Sequence, residues 1–224
     1  MRNEENENMG YNLCLFDLDG TLTDPKTGIT KSFQYALSAF GIHEELGDLA
    51  KFIGPPLRET FGGFYGFSQP DTEKAVAKFR EYFSETGIFE NILYPDIPEM
   101  LQKLKESGRT LAIATNKAAT YTNQILRHLN LDGYFSFVSG DKMDGSLTKN
   151  GKREIVRIAL DALDPNRAMP AAMIGDRGLD IAGARENGID GIGITWGYGL
   201  RGELETAGAA WIADCADELC RLII

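Results

Sequence analysis

Tyr11-Asn-Leu-Cys-Leu-Phe16 runs directly into Asp17-Leu-Asp-Gly-Thr21, and the rest of the chain is read from this junction. The first half is a short apolar run, the pattern of a strand buried on both faces. The second half delivers two carboxylates, two residues apart, at the strand's C-terminal end. Gly20 then lets the chain turn sharply away. A lone D-x-D is as a rule a solvated acidic turn. The string D-L-D-G-T behind a buried strand is far more specific. One carboxylate can attack phosphorus while the other protonates the leaving oxygen and later activates water.

Working outward, similar apolar runs recur at Thr110–Thr115, Phe135–Ser139, Ala171–Gly175, Gly191–Thr195 and Ala210–Ala213. Between them, Pro98–Ser107, Ala118–Leu129, Lys152–Leu163 and Leu179–Asn187 carry apolar residues at helical spacing, with Gly108 and Gly188 as stops. This alternation predicts an α/β fold with a doubly wound, Rossmann-like core, its parallel sheet covered on both faces. From Thr30 to Thr86 the alternation fails. Helical patterns at Ser32–Phe40, Glu44–Phe52 and Asp71–Ser84 are separated by Gly41, Gly54-Pro-Pro56 and Gly62-Gly63, with no strand among them. The expectation is an all-helical cap at residues 25–89, inserted into a core of residues 10–24 and 90–224, with residues 1–9 a disordered tail.

Ligands of open parallel sheets bind beyond the carboxyl ends of the strands, and several of these strands end in polar groups. Thr115-Asn116-Lys117 follows the second. Its hydroxyl and amide can donate to phosphate oxygens or cap the next helix. Lys149 and Lys152 precede the helix beginning near Arg153. Lys152 continues the inward stripe of Ile155 and Val156, whereas Lys149 lies in the polar loop Gly145–Gly151. In Ile174-Gly-Asp176-Arg-Gly-Leu-Asp180, a carboxylate follows a strand and another lies near a helix start. These either cap the helix or, with Asp17, offer oxygen ligands for Mg²⁺. The G-x-G at Gly191 and Gly193 lies inside a strand, which argues against a dinucleotide fingerprint. Gly197–Gly199 reads as a loop shaping the site rim.

Bulk properties narrow the function. The 224 residues are 43% hydrophobic and 25% charged, the composition of a soluble globular protein. No apolar run approaches the ~18–20 residues needed to span a bilayer. Cys14, Cys215 and Cys220 are odd in number and form no C-x-x-C pair, which indicates neither a disulfide framework nor a zinc site. The formal net charge of −10 argues against a nucleic-acid polymer as partner. It leaves room for a small phosphorylated metabolite, because a metal and a few local cations can hold one phosphate. The polar, acidic N-terminus lacks the pattern of a secretory signal, so a cytoplasmic location is expected. Oligomeric state is not readable: Trp196, Trp211 and Leu222-Ile-Ile224 suit packing within one chain as well as a dimer.

In this order D-L-D-G-T, a Thr-Asn after the next core strand, a downstream Lys and G-D-x-x-x-D resemble the haloacid dehalogenase-like hydrolase superfamily. The likeness is closest to its phosphoglycolate phosphatase-like branch with a helical cap, and it spans nearly the whole chain from residue 10 onwards. The resemblance implies Asp17 as nucleophile and Mg²⁺ ligand, and Asp19 as general acid–base with its backbone carbonyl on the metal. Thr115 and Lys152 would hold the transferring phosphoryl group, assisted by Asn116. Asp176 would ligate the metal and Asp180 would ligate or support it. The family's lysine usually starts a helix, which favours Lys152 over Lys149. The implied activity is Mg²⁺-dependent hydrolysis of phosphoglycolate or a nucleoside monophosphate through a phospho-aspartate. A phosphosugar mutase on the same scaffold and a catalytically silent phosphometabolite-binding module remain alternatives. Within the insert, Gly54-Pro55-Pro56-Leu57-Arg58 can bring Arg58 over a substrate anion, and Phe61, Phe64, Tyr65 and Phe67 can stack a base or simply pack.

Overall fold

The computed structural model describes residues 10–149, 151–200 and 202–224; the tail expected at residues 1–9 lies outside them. Six strands form a parallel sheet: β1 (Leu13–Phe16), β4 (Thr110–Ala118), β5 (Phe137–Asp141), β6 (Ala171–Gly175), β7 (Asp190–Ile194) and β8 (Trp211–Ala213). Two short strands, β2 (Thr23–Asp24) and β3 (Ile92–Leu93), pair with each other instead. The spatial order is β5-β4-β1-β6-β7-β8. Chain direction across the sheet therefore reverses at β1, which has β4 on one side and β6 on the other. A crevice for ligands opens at such a switch point.

Burial follows the alternation of strand side chains. Cys14 and Phe16 face one apolar cluster, with Met100, Leu101 and Leu104 of α4 (Ile97–Glu106) and Leu219 and Ile223 of α9 (Ala216–Ile223). Leu13 and Leu15 face the other, with Ile155, Val156, Ala159 and Leu160 of α6 (Arg153–Leu163). The sheet is covered on both faces, as the pattern of short apolar runs requires.

Between β2 and β3 the chain is helical: α1 (Lys26–Ser38), the short α2 (Leu46–Leu49) and α3 (Gln69–Glu85), joined by tighter and wider turns. Because β2 and β3 lie side by side, with Thr23 opposite Leu93 and Asp24 opposite Ile92, this insert leaves and re-enters the sheet layer at one place. Phe33 sits at its centre, with ring centroids of Phe52, Phe61 and Phe79 at 5.5, 5.4 and 4.9 Å. The structure corrects three boundaries. α1 begins six residues before the helix expected at Ser32, because Asp24 accepts the Lys26 N–H at 2.9 Å and starts it. The helix expected over Glu44–Phe52 is a four-residue turn of α-helix followed by a 3₁₀ turn. β4 runs to Ala118, three residues beyond Thr115, through a bulge.

Candidate active site

Asp17 follows β1 directly, with its N–H bonded to the Ile174 carbonyl of β6 at 2.9 Å, which fixes its position at the switch point. Asp176 follows β6 directly, and Asp180 lies in the first turn of α7 (Gly178–Glu186). Oxygens of these three buried carboxylates lie within 4.8 Å of one another. Two of the three are oriented by hydrogen bonds from the backbone. Asp176 Oδ2 accepts the Tyr198 N–H at 2.7 Å, and Asp180 Oδ2 accepts the Arg177 N–H at 3.0 Å. Asp180 thus caps α7 with one oxygen and keeps the other for the site. Thr21 Oγ1 adds a hydrogen bond to Asp176 Oδ1 at 3.3 Å.

Lys152 is the cation among them. Its residue is 2% exposed, at the start of α6, and its Nζ lies 2.9 Å from Asp17 Oδ1 and ion-pairs with Asp180 Oδ1. Burial lowers its affinity for the proton, but Asp17 and Asp180 outweigh this and push it above the ordinary lysine value. Lys149, by contrast, is exposed and lines the cavity wall. One ammonium does not balance three carboxylates. Burial first, then Asp180 and Asp17, pushes Asp176 up to about 7. Burial likewise pushes Asp180 up to about 6, against the pull of Lys152.

These residues fit a divalent cation. Asp17 Oδ1 has the Lys152 ammonium at 2.9 Å as its one ion-pair partner among the described residues, and the buried Asp19 Oδ1 accepts no hydrogen bond from them. Buried carboxylate oxygens with spare lone pairs and too little neighbouring positive charge are a hard oxygen-ligand set of the kind Mg²⁺ takes.

Thr115, Asn116 and Lys117 lie on the bulged end of β4. Thr115 is buried, and neither it nor Asn116 caps α5 (Ala119–His128), whose N-cap position is Ala118. Thr115 Oγ1 instead accepts the Lys117 N–H at 3.3 Å. Asn116 Oδ1 is buried without a hydrogen-bond partner among the described residues, and its residue lines the cavity. The bulge also aims Lys117, to which the sequence reading gave no role. Lys117 Nζ lies 2.8 Å from Asp19 Oδ2 and 4.5 Å from the centroid of the Phe83 ring of α3. Burial raises the Asp19 carboxyl above its ordinary value, and Lys117 opposes that rise.

Three glycines hold this centre together. A Cβ at Gly20, whose φ is +87°, would strike the Asp176 carboxylate. One at Gly197 would strike the Gly20 carbonyl and the Asp176 side chain, and one at Gly199 the Asp176 carbonyl. The glycine loop read as a rim is therefore packed on Asp176 itself.

A cavity of about 410 Å³ opens from Asp17 and Asp19 towards the insert. Gly54 to Arg58 line it, as do Phe33, Phe52, Phe79, Phe83 and Tyr121. Of the two readings left open for Phe61, Phe64, Tyr65 and Phe67, stacking on a ligand is not supported, because none of the four lines this cavity. Phe61 is wholly buried among Phe33 and Phe67, and Phe64 is 59% exposed. Arg58 lines the cavity, but its guanidinium is engaged by Glu73 at 2.6 and 2.9 Å and by the Asp144 carbonyl at 2.8 Å.

A reversing parallel sheet with carboxylates gathered at its strand ends defines a class: α/β proteins whose ligand site lies at a topological switch point. The chain belongs to the haloacid dehalogenase-like hydrolase family, whose model matches residues 14–194. It is 44% identical to a 5′-nucleotidase of Pseudomonas aeruginosa over 87% of each chain. A relative from Mycobacterium tuberculosis, named tyrosine-protein kinase PtkA, is 39% identical over 84% of this chain and 63% of its own length. The crystal structure of a predicted phosphatase from Clostridium acetobutylicum superposes with a TM-score of 0.89 at 42% identity, covering 96% of this chain and 98% of the other. The protein is a phosphatase of this family, a phosphoric monoester hydrolase. Among the described residues no helix is long and apolar enough to cross a membrane.

Proposed function

We propose that the protein is a Mg²⁺-dependent hydrolase of nucleoside monophosphates that works through a phospho-aspartate on Asp17, with residues 25–89 serving as a cap. The observation that carries this reading is the cavity. Its aromatic walls and volume of about 410 Å³ suit a flat, partly apolar base next to Asp17 and Asp19. Phosphoglycolate, a small dianion, would leave most of that apolar wall uncovered.

In the first step the Asp17 carboxylate attacks phosphorus in line, the ester P–O bond breaks, and the leaving alkoxide takes the Asp19 proton. Asp19, now ionised, removes a proton from water, which attacks the phosphorus and releases phosphate and Asp17. Burial raises the Asp19 carboxyl above its ordinary value, against the pull of Lys117, and that is the direction a general acid needs. Lys152 neutralises charge beside Asp17, and Thr115 and Asn116 face the recess as donors to phosphoryl oxygens. Asp17, Asp176 and Asp180, with the Asp19 backbone carbonyl, would hold Mg²⁺. Bound there, the ion supplies charge neutralisation to the phosphoryl oxygens.

The test is release of inorganic phosphate from a panel of phosphorylated metabolites with Mg²⁺ and after EDTA. Nucleoside 5′-monophosphates should give the highest kcat/KM, EDTA should abolish release, and added Mg²⁺ should restore it. A preference for phosphoglycolate would reject the substrate, and undiminished release in EDTA would reject the metal. Because one relative carries a kinase name, ATP with a tyrosine acceptor belongs in the panel. Water is the expected acceptor, and transfer to tyrosine exceeding release to water would overturn the hydrolase reading.

A further inference from the structure

Arg177 stands between two of the three clustered carboxylates, yet its side chain leaves the cluster and reaches the insert. Its N–H holds Asp180 Oδ2, while its Nη1 donates to the Ile53 carbonyl at 2.8 Å. Glu203 anchors the other edge of the guanidinium, accepting from Arg177 Nε at 3.1 Å. The same Glu203 carboxylate accepts the N–H of Gly178 at 2.6 Å and of Leu200 at 2.9 Å, so the anchor is built into the loops around the site. Ile53 immediately precedes the cavity-lining segment Gly54 to Arg58. Gly54 has a φ of +106°, and a Cβ there would come 3.2 Å from Arg177 Nη1. The chain is thus shaped to let the guanidinium approach.

The opposite rim is fastened from the other side. Arg58 and Arg80 of the insert donate to the carbonyls of Asp144 and Met143, in the loop after β5. Among these arginines, Arg177 alone sits in the carboxylate loop itself. A forked cation can hold an anion on one edge and a carbonyl on the other, which a lysine ammonium does less well.

We propose that Arg177 is a positioning residue: it ties the seating of the insert segment 53–58 to the geometry of the Asp176–Asp180 turn, so that covering the cavity and setting the carboxylates happen together. The proposal rests on the reading of this centre as a Mg²⁺-assisted phosphatase site, and its test separates the two. In the full chain, Arg177→Gln should speed amide hydrogen exchange in residues 53–58. It should raise the Mg²⁺ midpoint, followed by the fluorescence of Trp196, whose Nε1 donates to the Thr21 carbonyl at 3.0 Å. A shift of about fivefold or more is expected for a lost charge-assisted bond, with KM raised more than kcat is lowered. Arg177→Lys should behave as Arg177→Gln. Arg80→Gln should loosen the opposite rim and leave the Mg²⁺ midpoint in place.

Exchange and Mg²⁺ midpoint both within about twofold of the parent in Arg177→Gln would overturn the proposal. An equal midpoint shift in Arg80→Gln would overturn it as well, since the coupling would then be generic. Should Arg177→Gln not fold, Gly54→Ala reaches the same contact from the insert, and an unchanged Mg²⁺ midpoint there counts against the proposal. If the parent protein hydrolyses nothing or ignores Mg²⁺, the substrate or metal reading fails, and the exchange measurement still decides the role of Arg177.

Discussion

Lys117 shows what a single residue can hide. In the sequence it is a lysine at the end of Thr-Asn-Lys, between a strand and a helix, with nothing to mark it from a surface charge. Asp17, Asp19, Asp176 and Asp180 were legible because each follows an apolar run within a short, ordered motif. Lys152 was legible because it continues the inward stripe of its helix. Lys117 depends on the irregularity between Thr115 and Ala118, where three steps along β4 match one along β5; such a bulge redirects a side chain, and nothing in a period-two pattern reveals one. The structure places its ammonium 2.8 Å from Asp19 with only 8% of the side chain exposed. Lys117→Met, which removes the charge and keeps much of the bulk, should therefore lower kcat at least about tenfold if Asp19 moves the proton, while the folded structure is retained by circular dichroism. A kcat near that of the parent would separate Lys117 from Asp19 function.

At the scale of elements, the six sheet strands were all readable, since runs such as Leu13–Phe16 and Ala171–Gly175 are buried along their whole length. The insert was harder. The first turns of α1 contain Lys26-Thr-Gly28, which reads as loop because glycine disfavours a helix by about 1 kcal/mol. Gly28 is there for another reason: a Cβ would strike the Gly87 carbonyl, where the chain passes close against α1 on its way back to β3. Such long-range contacts do not show in local patterns. Gly28→Ala should accordingly lose about 1–3 kcal/mol of unfolding free energy in urea, through overpacking. Gly47→Ala in α2, where a Cβ meets nothing within 4 Å, should be neutral or stabilising. Equal effects of the two would show that Gly28 is not packed as described.

Across the whole molecule, a chain with 33 acidic and 23 basic residues nonetheless gathers Arg58, Arg80, Lys117, Lys142 and Lys149 around one cavity. An overall negative field still leaves a local place for a phosphate. The sheet reversal at β1 brings Asp17 beside Asp176, residues far apart in sequence, and the insert roofs them with an aromatic wall. The sequence pattern indicated both layers and left Phe61 free to stack or to pack; it packs, and the cavity wall falls to Phe33 and others whose place depends on how the insert folds.

The central proposal is that Asp17 is the nucleophile that accepts the phosphoryl group. The most direct test is to quench turnover of a nucleoside monophosphate in acid within the first catalytic cycle and map the phosphoryl group by mass spectrometry. The phosphoryl group should be found on the peptide containing Asp17, and Asp17→Asn should show neither the adduct nor turnover. A phosphoryl group on another residue, or Mg²⁺-dependent hydrolysis persisting in Asp17→Asn, would contradict the account.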